Sequence, residues 1–156
     1  MNDRIEKVRE YVDGILLAMT DSAERRCAYL HLYGVAQAAA MIAMKRGENV
    51  ELAIAAGMLH DIYTYSMMDS REHGPKGAIM AREILEKLAL FTKEEIDTIC
   101  HAIDCHSDKE GTHMPLDEVL IDADVWQHYL YHPGLHHYTH ENERIAKLKK
   151  EFTIGS

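Results

Sequence analysis

The sequence predicts an all-α fold, a single compact bundle of about six to seven helices. Three observations carry that expectation. Apolar residues recur at three- and four-residue spacing along nearly the whole chain, with little of the alternation that marks strands. The breakers are few, 3 Pro and 9 Gly in 156 residues, and they fall between the periodic stretches. The length suits one core rather than two thin ones, so residues 1–156 read as one domain.

Each element follows from its own pattern. Ile5, Val8, Val12, Ile15, Leu16 and Met19 mark one face of a first helix, and Thr20, Asp21 and Ser22 offer a stop and a new N-cap. A second helix spans about Ala23 to Lys45, with Gly47 ending it and Asn49 capping the next. Residues Val50 to Ile62 are apolar on almost all sides, which predicts a central helix. From Tyr63 to Gly77, Ser, Asp, His, Gly and Pro suggest a loop. A fourth helix covers about Ala78 to Leu88, and Thr92 with Glu95 forms a capping box for a fifth that runs to about Cys105. Gly111 and Pro115 precede a sixth helix, Leu116 to Tyr131. Beyond Pro133 and Gly134, residues Glu141 to Phe152 form a short last one.

Composition excludes several classes. A net charge of −9 opposes binding to a nucleic-acid polymer or an anionic membrane, though a metal can reverse the field locally for a small phosphorylated ligand. Three Cys cannot all pair, and the start, MNDRIEKVRE, is charged where a signal peptide needs apolar residues. No apolar run reads as a membrane span. The expectation is a reduced, cytoplasmic protein whose Cys27 and Cys100 pack in the core.

The anomaly is 11 His. His60 and Asp61 stand side by side near the end of the most apolar helix, where a polar pair is costly unless satisfied. His31 shares a helix face with Val35 and Ala38, so it points inward. Asp124 lies in the apolar stretch VLIDADVW. Two imidazoles and two carboxylates from three helices then aim at one interior, a set suited to a divalent first-row metal such as Fe, Mn, Ni, Co or Zn. Asp122 is the competing acid, but it lies two residues away and roughly opposite on a helix.

This order, His31, then LHDI with His60 and Asp61, then ADVW with Asp124, resembles the HD-domain superfamily of metal-dependent phosphohydrolases. The segment HLYGVAQAAAMIAMKRGENVELAIAAGMLHDI is similar to that family's first two helices, and the resemblance covers about residues 25–131. It implies an all-α bundle in which His31, His60, Asp61 and Asp124 hold one metal. His73 in HGPKGA and His106 in ICHAIDCH resemble elements of branches that include cyclic-dinucleotide phosphodiesterases and diadenosine-tetraphosphate hydrolases. There, the equivalents of His73 and His106 bind a second metal together with the bridging carboxylate, here Asp61. The chain departs from the cyclic-dinucleotide branch at Cys105-His106, where that branch has adjacent His.

The implied reaction is hydrolysis of a small phosphoester or phosphoanhydride, a nucleotide foremost, by metal-activated water. Asp61 would orient the water and help accept its proton, and Lys109, just after His106, is the best-placed cation for phosphate. Arg26, Lys76 and Arg144 are weaker candidates. His101 and Asp122 are expected behind the ligands or at the pocket, and Tyr63 and Tyr65 could stack on a base. His113 and His128 match nothing in the resemblance. The late cluster HPGLHHYTH, with His132, His136, His137 and His140, reads as an exposed loop. Two other readings stand beside hydrolysis: a di-iron oxygenase of the same superfamily, with Lys109 over the substrate, and a non-catalytic metal-binding or sensor module. The sequence leaves oligomeric state open.

Overall fold

The computed structural model describes residues 3–134 and 139–155. Among these it has eight helices and no strand: α1 (Arg4–Leu17), α2 (Ser22–Arg46), α3 (Val50–Leu59), α4 (Ile62–Met67), α5 (His73–Leu88), α6 (Lys93–Cys105), α7 (Pro115–Tyr131) and α8 (Thr139–Glu151). Their starts are chemically marked. The Asp3 side chain accepts from the Glu6 N–H, Asp21 from Ala23 and Glu24, and Asn49 from Leu52. The Thr92–Glu95 capping box opens α6 as its sequence requires. Gly47 closes α2 at φ 74°, a left-handed conformation open to glycine without strain.

Helices α2, α3 and α7 form the centre of the bundle. Their fully buried Leu32, Val35, Ile42, Met58, Leu59, Val119 and Leu120 make up much of the core, at about 1.5–3 kcal/mol for each large side chain. Helix α2 is long and apolar enough to cross a membrane by length and composition, with a mean hydropathy of 1.3 over its best window. One face of it, with Leu32, Val35, Ala39 and Ile42, is packed in the bundle against α3 and α7, while Leu30, Met41 and Met44 are exposed. The contact of α2 with α3 is close: a Cβ on Gly57 would lie 2.6 Å from Ala36 Cα.

Two expectations for the middle of the chain are corrected. The central helix does not continue to Ile62. It ends at Leu59, and Asp61 (φ −112°, ψ 14°) breaks the path before α4 begins. Most of the expected loop from Tyr63 to Gly77 is helical as well. It contains most of α4 and the first turn of α5, separated by Met68 to Glu72. Met68 and Glu72, both left-handed at φ 51°, make the turn. Pro75 fits because it occupies the first turn of α5, where a backbone N–H has no partner within the helix. The described residues thus hold eight helices, the six-residue α4 among them, in the all-α bundle that the sequence predicts.

Candidate metal centre

Four helix ends and faces converge on one point. The break after α3 is what lets consecutive residues both point there, since adjacent positions on a continuous helix diverge by about 100°. His31 Nε2 lies 3.0 Å from His60 Nε2, 3.1 Å from Asp61 Oδ2 and 3.5 Å from Asp124 Oδ1. His60 Nε2 lies 3.5 Å from Asp61 Oδ2 and 3.7 Å from Asp124 Oδ1. With metal–ligand bonds of about 2.0–2.2 Å, neighbouring ligand atoms around one ion stand about 3.0–3.5 Å apart. The four atoms nearly match that spacing.

The other oxygen of Asp61 faces a second group. Asp61 Oδ1 lies 3.3 Å from His106 Nε2 and 3.8 Å from His73 Nε2. One carboxylate thus divides its two oxygens between two clusters of potential ligands.

Each imidazole is held from behind. His31 Nδ1 donates to Gln127 Oε1 at 2.8 Å, His60 Nδ1 to the Gly57 carbonyl at 2.7 Å, His106 Nδ1 to the Ile103 carbonyl at 2.6 Å and His73 Nδ1 to the Ser70 carbonyl at 3.0 Å. A proton on each Nδ1 leaves each Nε2 lone pair facing inward, which is the tautomer a metal requires. Asp61 Oδ1 and Asp124 Oδ1 are buried without a hydrogen-bond partner. Buried carboxylate oxygens are rarely left so, and lone pairs facing one another at 3.0 Å repel unless a proton or cation lies between them. The donor set, its spacing and its orphaned oxygens all fit divalent metal.

The electrostatics agree. Burial opposes ionisation of Asp61 and Asp124, but nearby His60 holds Asp61, and the Lys109 ammonium holds Asp124, well below the usual carboxylate range. Burial depresses the His60 imidazole. It would depress His31 too, but the hydrogen bond to Asp61 and the charge of Asp124 outweigh it and raise His31 to about 8.

Lys109 arrives from the loop after α6. Its Nζ donates to Asp124 Oδ2 and, at 3.0 Å, to the His106 carbonyl. Arg144 of α8 fixes that loop, donating through Nε to the Lys109 carbonyl and through Nη1 to Glu118 and Asp122. A cavity of about 330 Å³ opens over the cluster, lined by Asp61, His73, His106, Lys109, Asp124 and His128, with Ser107, His140 and Glu141 completing it.

Three expected pocket residues lie elsewhere. Asp122 is clamped by Arg46 and Arg144 on the far side of α7, because two residues along a helix turn a side chain through about 200°. His101, about 140° round α6 from His106, pairs with Asp117. Tyr63 points to Asp69 and lies beneath Lys76, while Tyr65, two residues on, meets the His31 ring edge-on.

Sequence reading missed two residues at the site. Gln127 orients His31, and His128 stacks on the His31 ring with centroids 5.1 Å apart and Nε2 3.7 Å from Asp124 Oδ1. The signal was present in the spacing, since His128 is one helical turn after Asp124. In the late cluster, His132 is exposed, and His140 belongs to α8 and reaches the cavity rather than lying in a loop. His136 and His137 lie outside the described residues.

The sequence model of the HD domain matches residues 28–131. Among solved structures, the chain is similar to a predicted HD superfamily hydrolase from an uncultured Thermotogales bacterium. The TM-score is 0.59 at 20% identity, over 96% of this chain and 87% of the other. No curated protein matches.

Proposed function

The chain belongs to the HD-domain family, and from that premise we propose that it is a metal-dependent phosphohydrolase acting on a small phosphorylated substrate, a nucleotide foremost. The observation that carries the reading is Asp61, whose two oxygens serve two groups of imidazoles at the floor of one cavity. His31, His60, Asp61 Oδ2 and Asp124 would hold one divalent ion, and Asp61 Oδ1, His73 and His106 a second. Metal held there supplies hydroxide near neutral pH and neutralises phosphoryl oxygens.

The chain's own groups do the rest. The hydrogen bonds behind the four imidazoles fix their rings before substrate arrives. Asp61 would orient a water and help accept its proton. Lys109 Nζ has three N–H donors; two go to Asp124 and the His106 carbonyl, leaving one for a phosphoryl oxygen. Ser107 and His128 add polar groups along the wall.

The test is phosphate release from nucleoside mono-, di- and polyphosphates by protein loaded with Mn or Co, with oxygen uptake followed in parallel. The account expects release without oxygen consumption, lost in Asp61→Ala. The shared carboxylate also suits a di-iron oxygenase. Substrate-dependent oxygen uptake by the iron-loaded protein, with no phosphate from any substrate, would replace the hydrolase reading with that one.

A further inference from the structure

His101, Cys105 and Asp117 form a second constellation that the proposed reaction does not use. His101 and Cys105 are one turn apart on α6, and Asp117 sits in the first turn of α7. His101 Nδ1 lies 2.9 Å from Asp117 Oδ2 and 3.9 Å from Cys105 Sγ. All three potential ligand atoms lie within 4.8 Å of one another. Around a tetrahedral zinc ion, with bonds of about 2.0–2.1 Å to N and O and about 2.3 Å to S, the N–O and N–S edges are about 3.3 Å and about 3.6 Å. The His101–Asp117 and His101–Cys105 separations are each within about half an ångström of those edges. Asp117 is a fixed anchor, 1% exposed, with Oδ2 accepting from the Met114 N–H at 3.1 Å. The His101 side chain is 56% exposed, so an ion can enter from solvent.

We propose that His101, Cys105 and Asp117 hold a zinc ion, with water in the fourth position. The ligand chemistry selects the metal. Thiolate and imidazole favour Zn or Co over the harder Mn and Mg, whereas the residues around Asp61 offer only nitrogen and oxygen. The thiol proton passes to solvent as the metal–sulfur bond forms. The ion ties the face of α6 to the start of α7, the two helices that deliver His106 and Asp124.

Cobalt separates this site from the other by its spectrum, because only a cysteine ligand gives sulfur-to-cobalt charge transfer in the near ultraviolet. The full chain titrated with Co²⁺ is expected to develop that band, to lose it in Cys105→Ser and to keep it in Cys27→Ser. Should Cys105→Ser fail to fold, His101→Gln at its exposed position must raise the cobalt concentration needed for the band by about tenfold or more, since loss of even an outer partner costs about 10- to 100-fold. Absence of the band at saturating Co²⁺, or its survival in Cys105→Ser, would leave a plain His101–Asp117 ion pair and overturn the proposal.

Discussion

At the scale of single residues, two aspartates two positions apart have opposite fates. Asp124 faces the imidazoles with an orphaned oxygen, while both oxygens of Asp122 are engaged by arginines. Asp124→Ala is therefore expected to lose bound metal while keeping the fold. Asp122→Ala should retain metal but lose about 1–3 kcal/mol, because Arg46 and Arg144 each lose one of two carboxylate partners, with Glu151 and Glu118 left to them. Metal analysis and denaturant melts on the two variants check this, and the reverse pattern would mean the site uses the other acid. His31 sets the pH dependence. Its pKa of about 8 lies above the ordinary 6.5, so its proton stabilises the metal-free protein fully below pH 6.5, and that contribution is lost as pH rises through about 8. A cation must displace the same proton, so apparent metal affinity should climb with pH and level off above about 8. Equal affinities at about pH 6 and about pH 8.5 would contradict the His31 assignment.

At the scale of elements, most helices could be read from periodicity and caps, but the junctions could not. VELAIAAGMLHDI is apolar on nearly every side, so nothing in its pattern marks the break at His60–Asp61 that aims both side chains inward. The segment from Tyr63 to Gly77 has the composition of a loop. Its Gly and Pro serve a different end, since they lie in the first turns of α5, where Gly74 lets the helix approach α6 closely. A Cβ at Gly74 would meet the Asp104 carbonyl oxygen at 2.8 Å. The convergence of His31, His60, Asp61 and Asp124 was legible because their order along the chain resembles a family pattern. The rotation that turns Asp122 away from the imidazoles was legible in its two-residue offset from Asp124, but its arginine partners, the pairing of His101 with Asp117 and the turn of Tyr63 toward Asp69 depend on long-range packing that local pattern does not carry. The close crossing of α2 and α3 gives a direct test. Gly57→Ala pushes a Cβ into the Ala36 backbone and should cost about 1–3 kcal/mol despite alanine's better helix propensity. An unchanged unfolding midpoint would show that the helices can separate without cost.

At the scale of the whole molecule, a chain with a net charge of −9 gathers imidazoles and a lysine around one buried acidic centre. The HD-domain match ends at residue 131, yet Arg144 beyond it braces the Lys109 loop, and His140 and Glu141 line the cavity. The centre is therefore assembled by more of the fold than the matched segment. The proposed chemistry turns on Asp61 serving two metals at once. The most direct measurement is metal per chain in manganese-loaded protein, made in the Cys105→Ser background so that no sulfur site contributes. The account predicts about two ions per chain, about one when His73 and His106 are both replaced by alanine, and none in Asp61→Ala. A full complement in Asp61→Ala, or a ratio that never exceeds one in the parent, would contradict it.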